Sequence, residues 1–96
     1  MLGPFSRTEL LLGQDGMTRL ANARVAVFGL GGVGGYAVEA LARSGIGALE
    51  LVDSDQVSLT NLNRQILATH ETLGQFKADA ARDRVLSIDP EAEAVA

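Results

Sequence analysis

Residues 24–53, RVAVFGLGGVGGYAVEALARSGIGALELVD, contain the pattern that decides the fold. Two short apolar runs, Arg24–Phe28 and Ala48–Asp53, flank a segment from Val33 to Ser44 whose apolar residues recur at helical spacing. Apolar, β-branched runs are typical of buried parallel strands, and the helical stripe indicates a helix that packs on them. A strand, a helix and a strand in this order predict a right-handed crossover. Glu50 is unusual in a buried strand, and we expect it near that strand's exposed start.

The rest of the chain extends this unit in both directions. Downstream, a helical turn at residues 58–65 and a helix from Gln75 to Ile88 precede residues 91–96, which begin a third strand. Upstream, two short helices form an N-terminal arm over residues 1–23. We therefore predict an α/β protein with a Rossmann-like parallel sheet and helices on both faces. It forms a truncated βαβαβ half over residues 24–96, preceded by the helical arm.

The composition excludes several classes of function. The 96 residues carry a net charge of −4 and no cysteine, and 47% of them are hydrophobic. This length predicts one domain at most, with enough apolar residues for a folded core. The negative charge argues against a broad nucleic-acid surface. The absence of cysteine excludes a disulfide, a cysteine zinc site and a thiol nucleophile from this segment, and fits the cytoplasm. No apolar run is long enough to span a membrane, and we expect no membrane partner.

The turn between the first strand and the helix, GLGGVG, has the glycine spacing of a nucleotide-binding loop. Gly29 permits a tight turn, Gly31 lets a phosphate approach the backbone, and Gly34 lets helix and strand pack closely. Gly32 adds room, and the helix N-terminus presents free N–H groups to an anion. Asp53, nineteen residues after Gly34, ends the second strand, where a carboxylate can accept hydrogen bonds from ribose. The pattern predicts a nucleotide site; the alternative is a packing turn with a carboxylate that caps the strand end.

Polar residues after the second strand favour a triphosphate over a dinucleotide. A triphosphate carries more negative charge than a pyrophosphate, and its transfer chemistry needs cationic side chains and usually a metal. Arg64 can grip phosphate oxygens with its planar guanidinium group, and Asn61 and Asn63 can orient oxygens without adding charge. Lys77 lies in the first turn of the predicted third helix, where the helix dipole repels a cation unless an anion binds there. The alternatives are a solvated Lys77 and a surface ion pair between Arg64 and a nearby aspartate.

The combined pattern resembles the ThiF/MoeB/HesA family, which is related to the ubiquitin-activating enzymes. The resemblance rests on GLGGVG, on D-x-D-x-V-x-x-x-N-L-N-R-Q from Asp53 to Gln65, and on a lysine thirteen residues after Arg64. It extends over essentially the whole chain, from FSRTELLLG at Phe5 to SIDP at Pro90. Members of this family bind ATP on a Rossmann-like domain and adenylate a carboxylate. The resemblance therefore implies ATP and a ligase-like activating enzyme.

Carried onto this sequence, the resemblance implies a set of site residues. It assigns the nucleotide to Gly29, Gly31, Gly32, Gly34, Asp53, Asp55, Asn61, Arg64 and Lys77. The glycines would contact the phosphates, Asp53 the ribose, and the residues from Asn61 onward the triphosphate. Arg64 and Lys77 would also act in catalysis. In related homodimers an arginine from the N-terminal arm reaches into the partner's ATP site, and Arg7 in FSRTE matches that arginine.

Within the family, FSRTELLLG, EALARSGIG and TNLNRQI look most like the branch that dehydrates threonylcarbamoyladenosine in tRNA. That resemblance implies ATP-driven ring closure, in which activation makes a carboxylate oxygen leave easily and a nearby group displaces it. It also implies a homodimer, Mg²⁺, and tRNA as the substrate of the full-length enzyme. Family members are more than twice as long as this chain, and their magnesium-binding aspartate follows a later strand. We therefore expect an N-terminal fragment that holds no metal ligand and is inactive alone.

Three other interpretations stay open. The first is an adenylyltransferase for a ubiquitin-like protein, with a sulfur-carrier or sulfur-acceptor protein as partner; zinc-binding and catalytic cysteines downstream would favour it. The second is an NAD-dependent dehydrogenase, which explains the glycines and Asp53 but gives Asn61, Arg64 and Lys77 no shared task. The third is a non-catalytic interaction module, against which the intact motif residues argue.

Overall fold

A three-stranded parallel sheet forms the centre of the structure, a computed structural model in which residues 3–96 are described. The elements follow in this order: α1 (Ser6–Ala21), β1 (Arg24–Phe28), α2 (Gly32–Ser44), β2 (Ala48–Val52), a 3₁₀ turn (Leu59–Asn61), α3 (Lys77–Ile88) and β3 (Glu93–Val95). The strands lie side by side in the order β1-β2-β3. The predicted α/β class and parallel sheet are confirmed. Within the described residues, no helix is both long and apolar enough to cross a membrane.

Helices α2 and α3 cover one face of the sheet. The strand register pairs Val25 with Leu49 and Leu49 with Ala94, and all three residues belong to or pack on the main core. The largest fully buried side chains are those of Leu30, Leu49, Leu51, Val38 and Val85. The sequence predicts helices on both faces, whereas α2 and α3 lie on the same one. Two successive right-handed crossovers that step the same way across a sheet put both of their helices on the same side.

The opposite face of the sheet is largely open. Phe28 is 77% exposed and Val52 is 46% exposed on this face. Glu50 occupies the middle of β2, not its start as expected from the sequence. Arg24 on β1 contacts the Glu50 carboxylate at 3.2 Å and that of Glu93 on β3 at 2.8 Å, so one cation joins three strands. β2 tolerates a charged side chain because this face is wet and the charge is paired.

The N-terminal arm packs at the amino ends of the strands. α1 is interrupted at Gly13, whose φ of +75° divides it into the two short helices that the sequence predicts. Leu20 accepts a hydrogen bond from the Gly47 N–H at 2.9 Å, and Met17 lies against Gly45. Both glycines belong to the turn that leads into β2, so the arm is held at that end of the sheet. The division into an arm and an ATP-binding domain at residue 23 stays a prediction.

The connection from β2 to α3 is closely bonded to the sheet unit. Gln56 and Phe76 form an antiparallel bridge, and the Gln75 carbonyl accepts the Val57 N–H at 2.8 Å. Phe76 is therefore extended, and α3 begins at Lys77 rather than at the predicted Gln75. This pairing fixes the start of α3 beside the end of β2.

Glu39 on α2 joins the two helices that cover the sheet. Its carboxylate accepts hydrogen bonds from Arg84 on α3 at 2.5 and 3.1 Å, and from Arg43 on its own helix at 2.7 Å. Its side chain is only 13% exposed. The hydrogen bonds from Arg84 are the main cause that holds the pKa of Glu39 below its ordinary value of 4.5; burial opposes this shift and Arg43 adds to it.

We predict that Glu39→Gln lowers the free energy of unfolding by about 1–3 kcal/mol at neutral pH, because Arg84 is left partly buried without its counter-charge. The folded-state pKa of Glu39 is lowered, so its contribution is fully present above the unfolded value near 4.5. That contribution is lost as the pH falls through the folded-state pKa. The difference between wild type and variant should therefore shrink in acid. Urea unfolding followed by circular dichroism at neutral and acidic pH measures both effects.

Glu91→Gln provides the matched control, because Glu91 is exposed and makes no ion pair within residues 3–96. We expect its unfolding free energy to stay close to that of the wild type. An equal loss in both variants, or a Glu39→Gln effect that persists unchanged in acid, would contradict the assigned role of the Glu39 ion pair.

Candidate functional site

The glycine turn follows β1 directly and leads into α2. Gly29 has a φ of +85°, a left-handed conformation that favours glycine, and its N–H donates to the Val52 carbonyl at 2.8 Å. Gly31 precedes Gly32, the first helical residue, and no heavy atom lies within 4 Å of a Cβ position on Gly32. A Cβ on Gly34 would collide with the Gly29 carbonyl, so glycine is required for this close approach. The turn is tight and its helix N-terminus is open; contact with a nucleotide stays a prediction.

The carboxylate of Asp53 joins the end of β2 to the glycine turn. Its Oδ2 accepts the Leu30 N–H at 2.7 Å, and its Oδ1 accepts the Asp55 N–H at 2.7 Å. Leu30 is fully buried, so the first bond fixes the backbone in the middle of the turn. Two carboxylate oxygens can accept about four hydrogen bonds in all. Asp53 therefore keeps acceptor capacity for the ribose hydroxyls that the sequence predicts.

Asn61 is held by a cap at the start of the 3₁₀ turn. Its side chain is buried, with 7% exposure, and its Oδ1 accepts the Ser58 N–H at 2.9 Å and the Ser58 hydroxyl at 3.1 Å. These bonds fix the orientation of the amide and leave its NH₂ group as the available donor. Ser58 is not among the site residues predicted from the sequence. The S-x-x-N spacing, which resembles a capping box, is the signal that points to it.

Arg64 is exposed and bound only to its own segment. Its Nη1 donates to the Thr60 carbonyl at 2.9 Å and to the Asn63 side chain at 3.1 Å. Within the described residues it forms no ion pair with Asp53 or Asp55, which was the alternative considered from the sequence. The guanidinium group is therefore not neutralised by a carboxylate.

Lys77 is buried at the N-terminus of α3, with 7% exposure. Its backbone N–H donates to the Asp55 carbonyl at 2.9 Å. No carboxylate in residues 3–96 lies within ion-pairing distance of its ammonium group. The side chain is thus not the extended, solvated one considered from the sequence. The helix dipole disfavours an unpaired cation at this position, and a bound anion would offset that repulsion.

A series of hydrogen bonds joins three of the predicted residues and the glycine turn at the carboxyl ends of the strands. It runs from the Lys77 backbone to Asp55, from Asp55 to Asp53, and from Asp53 to the glycine turn. In open parallel sheets, ligands bind at this end. Arg64 is not part of this series, because it bonds only to Thr60 and Asn63. Arg7 lies elsewhere, because its neighbour Ser6 lines a groove with Gly47 at the amino ends of the strands.

The residues present fit an anionic nucleotide, because the glycine turn is open at Gly32 and no carboxylate in residues 3–96 neutralises Lys77 or Arg64. The same residues do not form a metal centre. In the described part of the chain, no group of three or more histidine, cysteine, aspartate or glutamate side chains is arranged to hold a metal ion.

Comparison with known proteins identifies relatives of this chain. The model of the ThiF family matches residues 5–96. The tRNA threonylcarbamoyladenosine dehydratase of Bacillus subtilis (strain 168) is 52% identical over 96 residues, which are 100% of this chain and 38% of that protein. The molybdopterin-synthase adenylyltransferase of Salmonella typhimurium is 46% identical over 88 residues, which are 90% of this chain and 35% of that protein.

A solved structure shows the same fold. The crystal structure of the E. coli tRNA N6-threonylcarbamoyladenosine dehydratase in complex with ATP superposes with a TM-score of 0.94 at 43% identity, over 96% of this chain and 38% of that chain. That enzyme has also been solved with AMP. This chain spans 38% or less of the length of these relatives. Because the family model matches residues 5–96, and the sequence and fold agree with it over that range, the chain belongs to the ThiF family.

Proposed function

We propose that this chain is the nucleotide-binding part of an ATP-dependent enzyme that activates a carboxylate, and that the acyl substrate of the whole enzyme is threonylcarbamoyladenosine in tRNA. The observation that carries the nucleotide assignment is Lys77, a largely buried residue whose cation pairs with no carboxylate in residues 3–96. Its backbone is linked through Asp55 and Asp53 to the open glycine turn. A triphosphate is the anion that this arrangement lacks. The 52% identity to a tRNA dehydratase over the whole chain supports the acyl substrate.

Bound ATP would supply the phosphoryl or adenylyl group that turns a carboxylate oxygen into a good leaving group. The free N–H groups at the start of α2 hold the phosphates, and Asp53 orients the ribose. The amide of Asn61 and the ammonium group of Lys77 donate to polyphosphate oxygens. Arg64 stabilises the charge that develops on the leaving phosphate, where a positioned cation contributes most. A neighbouring group of the substrate then attacks the activated carbon and closes the ring.

The proposal includes partners outside this chain. Arg7 is exposed on the arm, at the other end of the sheet from the glycine turn of its own chain. It therefore completes a site only in a homodimer, where it serves the partner's ATP. Mg²⁺ would bind the phosphates, with no ligand assigned to it among the described residues. The whole enzyme acts on tRNA in the cytoplasm.

An adenylyltransferase for a sulfur-carrier protein is the second candidate. The specific observation in its favour is the 46% identity to the Salmonella typhimurium adenylyltransferase. Both candidates share ATP and carboxylate activation, and they differ in the acyl substrate.

We predict that Mg-ATP raises the melting temperature of this chain and that NAD does not. The unpaired cation at Lys77 favours a triphosphate, whereas a dehydrogenase would use only the glycine turn and Asp53. Thermal unfolding with each nucleotide, together with NMR titration, measures the preference. Stabilisation by NAD alone would contradict the proposed function.

We also predict that Lys77→Met weakens ATP binding by about 1–3 kcal/mol without lowering the melting temperature of the free chain. The methionine keeps the buried aliphatic packing and removes an unpaired charge, so the free protein loses nothing, while ATP loses a charged hydrogen bond. Arg82→Met is the matched control, because Arg82 is on the same helix but pairs with Asp79 at 3.5 Å. Equal ATP affinity in wild type and Lys77→Met would remove Lys77 from the site.

The acyl substrate can be tested with a chimera in which this chain replaces the corresponding residues of the Bacillus subtilis dehydratase. We predict ATP-dependent loss of one water from threonylcarbamoyladenosine in tRNA, read by mass spectrometry. Arg64→Ala in the chimera should lower kcat more than ATP affinity, because its charge matters most in the transition state. A second chimera places this chain in the Salmonella typhimurium adenylyltransferase. Activity of that chimera, with none in the dehydratase chimera, would favour the second candidate.

A further inference from the structure

Gln65 lies against the glycine turn and is not among the residues proposed above to hold ATP. A Cβ atom built on Gly31 would lie 3.4 Å from Nε2 of Gln65, 3.6 Å from its Cδ and 3.8 Å from its Oε1. The amide nitrogen is thus the atom of Gln65 nearest to this point. Gly31 itself is the residue immediately before the first turn of α2.

The side of Gly31 that the Gln65 amide approaches indicates which group it could bind. The second glycine of such a turn lacks a side chain so that a phosphate can come close to its backbone. The space that a Cβ would fill on Gly31 is therefore on the side that a phosphate approaches. Gln65 presents an N–H donor to the same space, beside the free N–H groups at the helix N-terminus.

The fold does not use the Gln65 amide for anything else. The segment is held through the backbone: the Gln65 N–H donates to the Asn61 carbonyl at 2.9 Å, and the Gln65 carbonyl accepts the Ala68 N–H at 3.0 Å. Within residues 3–96 no hydrogen bond involves the Gln65 side chain, whereas Gln75 in the same connection donates to the Glu71 carbonyl at 3.5 Å. Gln65 is only partly buried, and its carboxamide is free to bind a ligand.

We propose that Gln65 is a nucleotide-binding residue that donates from Nε2 to the phosphate lying over Gly31. This inference rests on the proposed function and adds a neutral donor to its charged groups. The contact is to a phosphate, so it should affect AMP and ATP alike and leave adenosine unaffected.

The test compares wild type, Gln65→Ala and Gln65→Glu in NMR titrations with ATP, AMP and adenosine. We expect Gln65→Ala to weaken ATP and AMP about ten-fold, the usual effect of losing one hydrogen bond to a charged acceptor. Gln65→Glu keeps the shape and adds a negative charge, so its loss should be larger. Adenosine affinity and the melting temperature of the free chain should not change, whereas a purely structural role would alter both.

Gln75→Ala is the matched control and should bind all three compounds like wild type. If wild type binds ATP and Gln65→Ala binds it equally tightly or more tightly, the role of Gln65 is overturned, whereas the proposed function stands. An equal loss for adenosine would show a structural role and would also overturn it. A wild type that binds neither ATP nor AMP would contradict the proposed function, and the Gln65 inference with it.

Discussion

The hydrogen bond from the Leu30 N–H to the Asp53 carboxylate joins residues 23 positions apart, and the arrangement of the site depends on it. The donor is in the middle of the glycine turn and the acceptor is at the end of β2. The other oxygen of Asp53 binds the Asp55 N–H, and the Asp55 carbonyl receives the start of α3 at Lys77. One carboxylate thus sets the glycine turn, the strand end and the third helix relative to one another. A residue that the sequence predicts only as a ribose contact thus also organises the candidate site.

Lys77 differs from the paired arginine of its helix, because no carboxylate in residues 3–96 neutralises it. An arginine elsewhere on the same helix, Arg84, is paired with Glu39, and this pair stabilises the contact between the helices. Lys77 has no such partner in the described chain and begins a helix whose dipole opposes its charge. Proteins commonly concentrate unfavourable features of this kind where a ligand completes the arrangement.

Local patterns predicted most of the fold, including the tight glycine turn around which the candidate site is proposed. The apolar runs of β1 and β2, the stripe of α2 and the glycine spacing are set by neighbouring residues, so the sequence shows them directly. Glu50 was misplaced because its partner, Arg24, is on another strand. The start of α3 was misplaced because Gln75 belongs to a pairing with Val57 that no local pattern reveals. Arg64 and Arg7 stay predictions, because in one chain nothing yet joins them to the glycine turn.

The row of charge on the open face of the sheet limits what can cover that face. Arg24 pairs there with Glu50 on the central strand and with Glu93, while Phe28 and Val52 offer apolar surface nearby. An uncharged, flat apolar layer would remove water from the charges of Arg24, Glu50 and Glu93. The attraction within the ion pairs would not compensate for this loss of hydration. Inward-facing charges of this kind discourage indiscriminate sheet stacking. A layer that packs well on this face must therefore leave the ion pairs in contact with water or supply polar groups of its own. The side chains that join the three strands thus also determine which surfaces can pack against the sheet.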